Sequence, residues 1–309
     1  MSIRVAVIGV GHLGQHHARI LASLPDVRLA GVVDIKRDRA IEIGTKHGAP
    51  AFTDAGELPE VDAVVVAVPT VSHVDVAMPF LERGVAVLVE KPLAPSLAEA
   101  DRLLAAAERH RALLAAGHTE RFNPAVAAAL PLVKSPRFIE IHRLGTFPER
   151  SLDIDVIFDL MIHDLDLLLA AVGPEVVSIE AIGVNVLTPR TDIANARLKF
   201  ASGCIANLTA SRISKDRVRK ARFFQHDSYV SIDYAAQEVE VYRLMPHNGR
   251  PVIQGGMLPV TREEPLQREL VDFLAAIRER RAAGVTGRAG RAALELATRV
   301  AEEMAAGTS

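Results

Sequence analysis

The chain has 309 residues, of which 49% are hydrophobic and 24% are charged, and its formal net charge is −2. This composition predicts a globular protein with a sizeable core, and the length predicts two domains. The small negative charge argues against a general nucleic-acid binder, which would carry a strong basic excess. Cys204 is the single cysteine, so no disulfide can form within the chain, and a reducing compartment is favoured.

The N-terminal sequence MSIRVAVIG enters a strand-like segment at once. It lacks the charged stretch, apolar core and cleavage site of a secretory signal. The most apolar runs, such as VDAVVVAVP, are too short to span a bilayer. We therefore predict a cytoplasmic protein that does not bind membranes.

The first 117 residues alternate short runs rich in Val and Ile with helical stretches. This alternation predicts an α/β domain, in which a doubly wound parallel sheet carries helices on both faces. The strand-like runs are IRVAVIG, VRLAGVVD, VDAVVVAVP, VAVLVEKP and ALLAAGH. The predicted helices cover residues 12–24, 36–47, 72–83 and 96–110.

The pattern changes after Gly117, where strand-like runs with alternating apolar and polar residues become common. Such runs predict an α+β domain with a large, mostly antiparallel sheet. We place the domain boundary between residues 118 and 119, which gives a nucleotide-binding domain over 1–118 and a second domain over 119–309. The predicted helices of the second domain cover 123–134, the segment around 158–169, 265–283 and 288–306, and a strand is predicted near 137–145.

The segment VAVIGVGHLGQHH places Gly9, Gly11 and Gly14 in G-x-G-x-x-G spacing between a predicted strand and a predicted helix. The first glycine permits a tight turn, the second lets a pyrophosphate approach the backbone, and the third lets helix and strand pack closely. The N-terminus of the helix favours an anion. We therefore predict a dinucleotide site, in which His12 and Leu13 are further candidate contacts.

The next predicted strand ends in Asp34, twenty residues after the last glycine of the loop. An acid at this position binds the ribose hydroxyls and disfavours a 2′-phosphate. Lys36 and Arg37 follow it and would tolerate NADP, but solvated positions at a helix start are the favoured interpretation. The predicted cofactor is therefore NAD, with NADP as the alternative. His16 and His17 are interpreted as packing or surface residues.

The segment VLVEKPLA places Glu90, Lys91 and Pro92 just past a predicted parallel strand. Ligands of open α/β sheets bind beyond these carboxyl ends, so Lys91 is a candidate to reach the nicotinamide end of the cofactor. The alternative is an exposed lysine at a turn, and Pro92 is a candidate cis proline. Glu90 is a candidate cofactor contact, and the preceding strand brings three more to the same edge: Pro69, Thr70 and His73.

The helical segment FDLMIHDLDLLL, residues 158–169, carries Asp159 and His163 among leucines. Four residues make about one helical turn, so the two side chains share one face and can hydrogen-bond. This spacing indicates either part of an active site or a satisfied polar pair at a domain boundary. Asp164 and Asp166 lie off that face, and we predict structural roles for them.

Together these motifs resemble the Gfo/Idh/MocA family of NAD(P)-dependent sugar and cyclitol oxidoreductases. The resemblance covers essentially the whole chain and rests on the glycine loop, the triplet at residues 90–92 and the pair Asp159 and His163. It implies a Rossmann domain, a second domain whose sheet serves substrate binding and oligomer contacts, and C-terminal helices, about 265–306, that pack near the Rossmann domain. A homodimer or homotetramer is expected, and no metal.

Within such a site, His163 suits the base that takes a proton from a hydroxyl, because imidazole titrates near neutral pH. Asp159 can orient the imidazole ring, as carboxylates do behind catalytic histidines. Lys91 can hydrogen-bond the reacting oxygen and stabilise developing charge. The sequence does not decide which of Lys91 and His163 is the base and which hydrogen-bonds the reacting oxygen.

Two segments supply candidate substrate contacts. GHTERFNP contains His118, Arg121 and Asn123, for which a helix cap or an interdomain hydrogen bond is the alternative. The basic stretch of residues 212–222 can meet a diphosphate, with Arg212 and Lys215 as the candidates, or can be a solvated strand edge.

Within the family, the segments GHTERFNP, DLMIHDLDL and NLTASRISKDRVRKARFFQHDSYVSIDY together resemble the UDP-N-acetylglucosamine 3-dehydrogenase subgroup more than others. That resemblance implies oxidation of the 3-hydroxyl of the nucleotide sugar to a ketone. It also implies metabolic coupling to a PLP aminotransferase, which would give a diamino sugar for lipid A or another surface polysaccharide.

Three other functions stay open for this fold. One is an inositol or free-sugar dehydrogenase, and another is a glycosidase that uses NAD in a redox-assisted elimination and produces no net NADH. The third is a ligand sensor without activity, which would be expected to lack the lysine and histidine that stand at Lys91 and His163.

Overall fold

The described strands form two sheets, one of six strands and one of eight. A computed structural model describes residues 2–147, 154–247 and 250–306. Its backbone divides into two units: Met1–Thr119 with Leu266–Leu294, and Glu120–Pro265 with Glu295–Ser309. The described helices are α1 (Gly14–Ser23), α2 (Arg37–His47), α3 (His73–Glu82), α4 (Leu97–His110), α5 (Pro124–Ala129), α6 (Ile162–Val172), α7 (Pro265–Glu279) and α8 (Gly287–Ala306).

The sheet of the first unit is parallel throughout, in the order β3-β2-β1-β4-β5-β6. Its strands are β1 (Ile3–Ile8), β2 (Val27–Val33), β3 (Ala51–Phe52), β4 (Ala63–Val66), β5 (Ala86–Glu90) and β6 (Leu114–Gly117). The strand order reverses between β1 and β4, and ligands of such sheets bind at the carboxyl ends of the strands next to this point. The loops after β1, β2 and β4 are therefore the expected place for a ligand.

The core of the first unit is built from strands that are buried on both sides, as continuous apolar runs predict. Val5 and Val7 of β1 are fully buried. Leu270, Phe273 and Leu274 of α7 join the same hydrophobic cluster, and their spacing places them on one helix face. Burial of this apolar surface is the main stabilising contribution to the unit.

The sheet of the second unit has the order β14-β13-β12-β11-β7-β10-β9-β8. Every neighbouring pair is antiparallel except β7 and β10, which are parallel. Its strands are β7 (Phe138–Leu144), β8 (Val176–Val184), β9 (Ile193–Phe200), β10 (Ile205–Ser211), β11 (Val218–Phe224), β12 (Ser228–Asp233), β13 (Glu238–His247) and β14 (Arg250–Leu258). In β9, buried residues such as Leu198 alternate with exposed residues such as Arg197, so one face of the sheet is covered and the other is open.

These two sheets confirm the predicted fold class, and several details differ from the prediction. The helix predicted over 123–134 ends at Ala129 and continues as a 3₁₀ turn over Leu130–Leu132. Pro131 lies in that turn and has no N–H to continue an α-helix. Strand β14 was not predicted, and the segment around 158–169 begins as a π-helical turn. In the described ranges, no helix combines the length and apolar character needed to cross a membrane.

Candidate active site

The glycine loop joins β1 to α1, and its three glycines have different surroundings. Gly9 has a φ of 84°, and a Cβ there would lie 2.7 Å from the carbonyl oxygen of Ala67. A Cβ on Gly14 would lie 1.7 Å from the carbonyl oxygen of Gly9, so close packing requires both residues. A Cβ on Gly11 would meet no atom within 4 Å, so the fold leaves the space in front of this backbone open for a ligand.

Asp34 connects the end of β2 to the glycine loop. Its Oδ2 accepts a hydrogen bond from the Val10 N–H at 3.1 Å, and its Oδ1 accepts one from the Lys36 N–H at 3.0 Å. A carboxylate has about four lone-pair sites, so acceptor capacity remains for the hydroxyls of a ribose. The predicted contact of Asp34 with a ribose stays a prediction.

A cleft of about 1190 Å³ opens beside these loops within the first unit. Small-molecule pockets usually measure about 300–1,000 Å³, so the cleft suits a large ligand such as a dinucleotide. Four predicted cofactor residues line it: Gly9, Gly11, Asp34 and Pro69. The residues that line it do not include the other six predicted cofactor residues, all of which are described: His12, Leu13, Gly14, Thr70, His73 and Glu90.

The carboxyl end of β5 carries the predicted Glu90-Lys91-Pro92 triplet. The Lys91–Pro92 peptide bond is cis. Glu90 is 5% exposed, and its Oε1 lies 2.8 Å from Nε2 of His17, which is fully buried. Its Oε2 accepts a hydrogen bond from the Lys91 N–H at 3.2 Å. The interpretation of His17 as a packing residue was therefore incomplete, because α1 contacts the residue before Lys91 through this side chain.

Burial raises the pKa of Glu90, but the hydrogen bond and charge of His17, together with Lys91, outweigh burial and lower the pKa below its usual range. The carboxylate form is therefore favoured in the folded protein. It holds the backbone of Lys91 at the strand end.

His73 lies at the start of α3 and is 1% exposed. Its Nδ1 is 2.9 Å from the carbonyl oxygen of Pro92, and its Nε2 is 3.0 Å from that of Val68. Burial lowers its pKa, and a neutral imidazole has one N–H, so it donates to one of these carbonyls at a time. His73 thus contacts the loops after β4 and β5, and its predicted contact with the cofactor stays a prediction.

In the second unit, Asp159 and His163 lie in a helix that changes its geometry between them. Residues Ile157–Met161 form a π-helical turn, and α6 begins at Ile162. Both side chains are half-buried. The prediction of one continuous α-helix was therefore wrong at its first turn, because i→i+5 hydrogen bonds replace the i→i+4 pattern there. Single π-helical turns are frequent at functional sites.

Two arginines bind the other acids of this helix. Asp164 accepts hydrogen bonds from Nε and Nη2 of Arg143, both at 2.8 Å, and Asp166 accepts one from Nε of Arg121 at 2.9 Å. Burial raises the pKa of Asp164, and the neighbouring Arg143 opposes this effect. Arg143 also donates to Glu120 at 2.9 Å. These bonds fix α6, which carries His163, against β7 and the segment before α5.

Asn123 lies at the start of α5, and its side-chain amide hydrogen-bonds to other groups of the protein. Its Oδ1 accepts from the Ala125 N–H at 3.1 Å, and its Nδ2 donates to Glu120 and to the carbonyl oxygen of Tyr234, both at 3.0 Å. Asn123 is buried, as is His118 in the first unit. The contacts of Asn123 and Arg121 lie within the second unit, so the substrate contacts expected of this motif stay predictions.

The two candidate residues of the basic stretch differ in their burial and in their contacts. Arg212 is 3% exposed, forms an ion pair with Asp192 at 3.3 Å and donates to the carbonyl oxygen of Thr191 at 2.8 Å. Lys215 is exposed in the bend between β10 and β11. Lys215 is therefore accessible to a diphosphate, whereas the guanidinium of Arg212 contacts buried acceptors of its own unit.

Replacing Arg212 by methionine is expected to lower the free energy of unfolding by about 3–5 kcal/mol, because the buried Asp192 would lose its ion-pair partner. Urea denaturation followed by circular dichroism measures the change. The exposed Lys215→Met variant is the control, with an expected change within about 0.5 kcal/mol. Equal stability of the Arg212→Met variant and the wild type would contradict a structural role for Arg212.

Three side chains that contribute to these sites were not singled out for such roles from the sequence. His17 follows Gly14 by three residues and Arg143 takes an inward position of β7, so periodicity alone marks both as buried. Arg39 lines the cleft, and its Nε donates to the carbonyl oxygen of Val10 at 2.8 Å. No spacing rule indicates the contact of Arg39, which depends on how α2 packs beside the loop.

Comparison with known proteins gives the family. Residues 3–118 match the oxidoreductase family model with an NAD-binding Rossmann fold, and residues 141–227 match the GFO/IDH/MocA C-terminal domain. The chain is 39% identical over 304 residues to UDP-N-acetylglucosamine 3-dehydrogenase from Acidithiobacillus ferrooxidans, and the match covers 96% of each chain. It is 28% identical over 232 residues to scyllo-inositol 2-dehydrogenase (NAD(+)) from Bacillus subtilis, covering 69% of this chain and 68% of that protein.

A solved structure agrees with this result. UDP-N-acetylglucosamine 3-dehydrogenase GnnA from Acidithiobacillus ferrooxidans matches with a TM-score of 0.94 and 38% identity, over 99% of this chain and 98% of that chain. The family resemblance inferred from the motifs is thereby confirmed, as is the predicted NAD cofactor of an oxidoreductase. The chain belongs to the Gfo/Idh/MocA family and is an NAD-binding oxidoreductase.

Proposed function

We propose that this enzyme oxidises the 3-hydroxyl of UDP-N-acetylglucosamine to a ketone, with NAD as the hydride acceptor. The observation that carries the proposal is the 39% identity to an enzyme of that activity over 96% of both chains. The inositol dehydrogenase match is weaker in identity and in coverage. We assign residues 1–118 to NAD binding and residues 119–309 to binding of the sugar.

The residues of the cleft fit NAD. The backbone around Gly11 offers open space for the pyrophosphate, the N-terminus of α1 favours its charge, and Asp34 holds the ribose hydroxyls. When bound, NAD supplies the acceptor for the hydride that leaves the carbon. The further predicted contacts at His12, Thr70 and Glu90 remain part of this proposal.

We assign the proton transfer to His163. Its imidazole takes the proton of the 3-hydroxyl while the C–H bond breaks, and the electrons of the O–H bond form the carbonyl. Asp159 orients the imidazole ring, and the ammonium of Lys91 donates a hydrogen bond to the oxygen as charge develops on it. In the alternative assignment, Lys91 is the base. The pH profiles of a Lys91 variant and a His163 variant decide between the two assignments.

The proposal is tested by following NADH absorbance with purified protein, NAD and UDP-N-acetylglucosamine. A PLP aminotransferase with an amino donor removes the ketone, in case equilibrium opposes its formation. NADH formation with the nucleotide sugar, and none with myo-inositol or free glucose, is the expected result. NADH formation with myo-inositol alone would establish the competing dehydrogenase, and turnover without net NADH would indicate a redox glycosidase.

Replacing Asp34 by alanine is expected to weaken NAD binding by about 10- to 100-fold, because hydrogen bonds to a charged acceptor are lost. Discrimination against NADP should fall as well, since the negative charge no longer repels the 2′-phosphate. Dissociation constants of NADH and NADPH measure both effects. Asp38→Ala, an exposed acid in the first turn of α2, is the control. An unchanged preference would remove Asp34 from the ribose site.

We further propose a cytoplasmic homo-oligomer, a dimer or a tetramer, whose ketone product is consumed by a PLP aminotransferase. The open face of the second sheet supports self-association, because it presents a row of aromatic side chains across four strands. The row consists of Phe138, Phe224, Tyr229 and Tyr242. Light scattering of the purified protein gives the number of copies, and a monomer would contradict the proposal.

A further inference from the structure

Two arginines stand opposite each other on the covered face of the second sheet. Arg219 of β11 pairs directly with Arg143 of β7 in the antiparallel register. The neighbouring pairs Ala221 with Ile141 and Phe223 with Ile139 are buried, which places all six side chains on the same face. Like charges in directly opposed positions are destabilising unless an anion compensates them.

The two arginines differ in their partners. Arg143 is buried and binds Asp164 and Glu120. Arg219 is an exposed residue with a partly buried side chain, and among the described residues its guanidinium has no hydrogen bond or ion pair. Burial of part of its side chain and the charges of Arg143 and Arg217 lower the pKa of Arg219, against the opposing effect of the two acids. The surroundings of this guanidinium thus favour an added negative charge.

Several other cations of the basic stretch already have an acidic partner. Arg212 binds Asp192 inside the unit. On the open face of the sheet, Lys220 pairs with Asp233 at 3.3 Å and Arg222 pairs with Glu140 at 3.0 Å. Among the described residues, the exposed cations of this stretch without an ion-pair partner are Lys215, Arg217 and Arg219.

Arg219 is also the one of these three that lies within β11, on the covered face. Its cross-strand neighbour Arg143 holds Asp164, the residue after His163. An anion bound by Arg219 would therefore lie at the end of the sheet where α6 presents its first turn. Arg217, whose Nε and Nη2 are 3.4 Å from Oγ1 of Thr146, lies at the same end and adds positive charge.

We infer that Arg219 binds a phosphate group of the sugar nucleotide's diphosphate and thereby selects nucleotide sugars over free sugars. This inference rests on the proposed function and names the specificity-determining residue of that site. The predicted diphosphate contact of Arg212 is replaced by Arg219, and Lys215 is left as an auxiliary cation.

Replacing Arg219 by glutamine tests the inference. We expect KM for UDP-N-acetylglucosamine and Kd for UDP to rise by about 10- to 100-fold, since a hydrogen bond between charged groups is lost. The value of kcat at saturation and KM for NAD should stay within about threefold. Lys220→Gln, the adjacent residue on the opposite face, is the matched control and should change neither constant. Arg219→Lys keeps the charge and should give an intermediate Kd.

The outcomes separate this inference from the proposed function. A wild-type enzyme that turns over UDP-N-acetylglucosamine, with an Arg219→Gln variant of unchanged KM and unchanged UDP affinity, would overturn the inference alone. A wild-type enzyme that neither binds UDP nor oxidises the nucleotide sugar would overturn both. If Arg219→Gln does not fold, an unchanged UDP affinity of a folded Arg219→Lys variant would count against the role.

Discussion

Replacing Lys91 by methionine is expected to lower kcat by about 100- to 1000-fold, the usual effect of removing one donor from a developing oxyanion. Methionine keeps a similar length and removes the charge. Lys91 follows β5, where the carboxylate of Glu90 holds its backbone N–H. Because we place the NAD contacts on the glycine loop and Asp34, the dissociation constant of NADH should be nearly unchanged. Steady-state kinetics and a fluorescence titration with NADH measure the two quantities.

The exposed Lys46 of α2 provides the matched control for Lys91. Lys46→Met should keep wild-type kcat. A Lys91→Met variant with near-wild-type turnover would exclude Lys91 from the chemistry. Loss of NADH binding together with loss of turnover would instead indicate damage to the cofactor site.

Replacing His163 by asparagine is expected to lower kcat by about 100- to 10,000-fold, the range for loss of a general base. A histidine base produces a fall in kcat on the acidic side of neutral pH, because its protonated form cannot accept the proton. That acidic limb should be absent from the residual activity of the variant. Persistence of the same limb in His163→Asn, together with its loss in Lys91→Met, would assign the base to Lys91.

His142 of β7, which pairs with Lys220 and lies on the open face of the sheet, is the control histidine. His142→Asn should retain wild-type kcat and the wild-type pH profile. The Arg143 contact with Asp164 makes a folding check necessary for His163→Asn, since the neighbouring residue is buried. A folded His163→Asn variant with full turnover would contradict the assigned role.

Most of the first unit could be predicted from sequence because its strands are buried on both faces. Continuous runs of Val and Ile identified the five longer strands, and the predicted helices agree with α1 to α4 within two residues. The two-residue strand β3 was not predicted, since two residues carry no periodicity. The glycine spacing identified the loop because a side chain at Gly9 or Gly14 would clash with the backbone, and one at Gly11 would fill the space left for a ligand.

The second unit shows where pattern reasoning fails. Strand β14 contains Pro251, Gly255 and Gly256, which ordinarily argue against a strand. It forms because β13 pairs with it over nine residues, and a Cβ on Gly255 would lie 1.9 Å from the carbonyl oxygen of Val241. The Asn248-Gly249 dipeptide that precedes β14 in the sequence is nevertheless a strong local signal for a hairpin, and it indicates a second strand there. The π-helical turn at 157–161 was missed because the four-residue spacing of Asp159 and His163 was interpreted with α-helical geometry.

The sequence indicates which residues are candidates for the site, but it does not indicate which residues they contact. Sequence spacing indicated Lys91, Asp159 and His163 as candidates, since strand ends and helical turns leave local patterns. It could not identify the His17 contact with Glu90 or the Arg143 contact with Asp164, because residues 73 and 21 positions apart meet only in the folded chain. In the sequence, all the cations of the basic stretch look alike. Those that form ion pairs can be told from the others only when the acids on the neighbouring elements are known.

The proposed function requires that a hydride leaves C3 of a nucleotide sugar. It is tested most directly with UDP-N-acetylglucosamine that carries deuterium on C3, incubated with the enzyme, NAD and the aminotransferase trap. We expect NADH that carries the deuterium, detected by mass spectrometry, and a slower reaction than with unlabelled substrate if hydride transfer limits the rate. NADH without deuterium would show that another carbon is oxidised, and no NADH at all would contradict the proposed function.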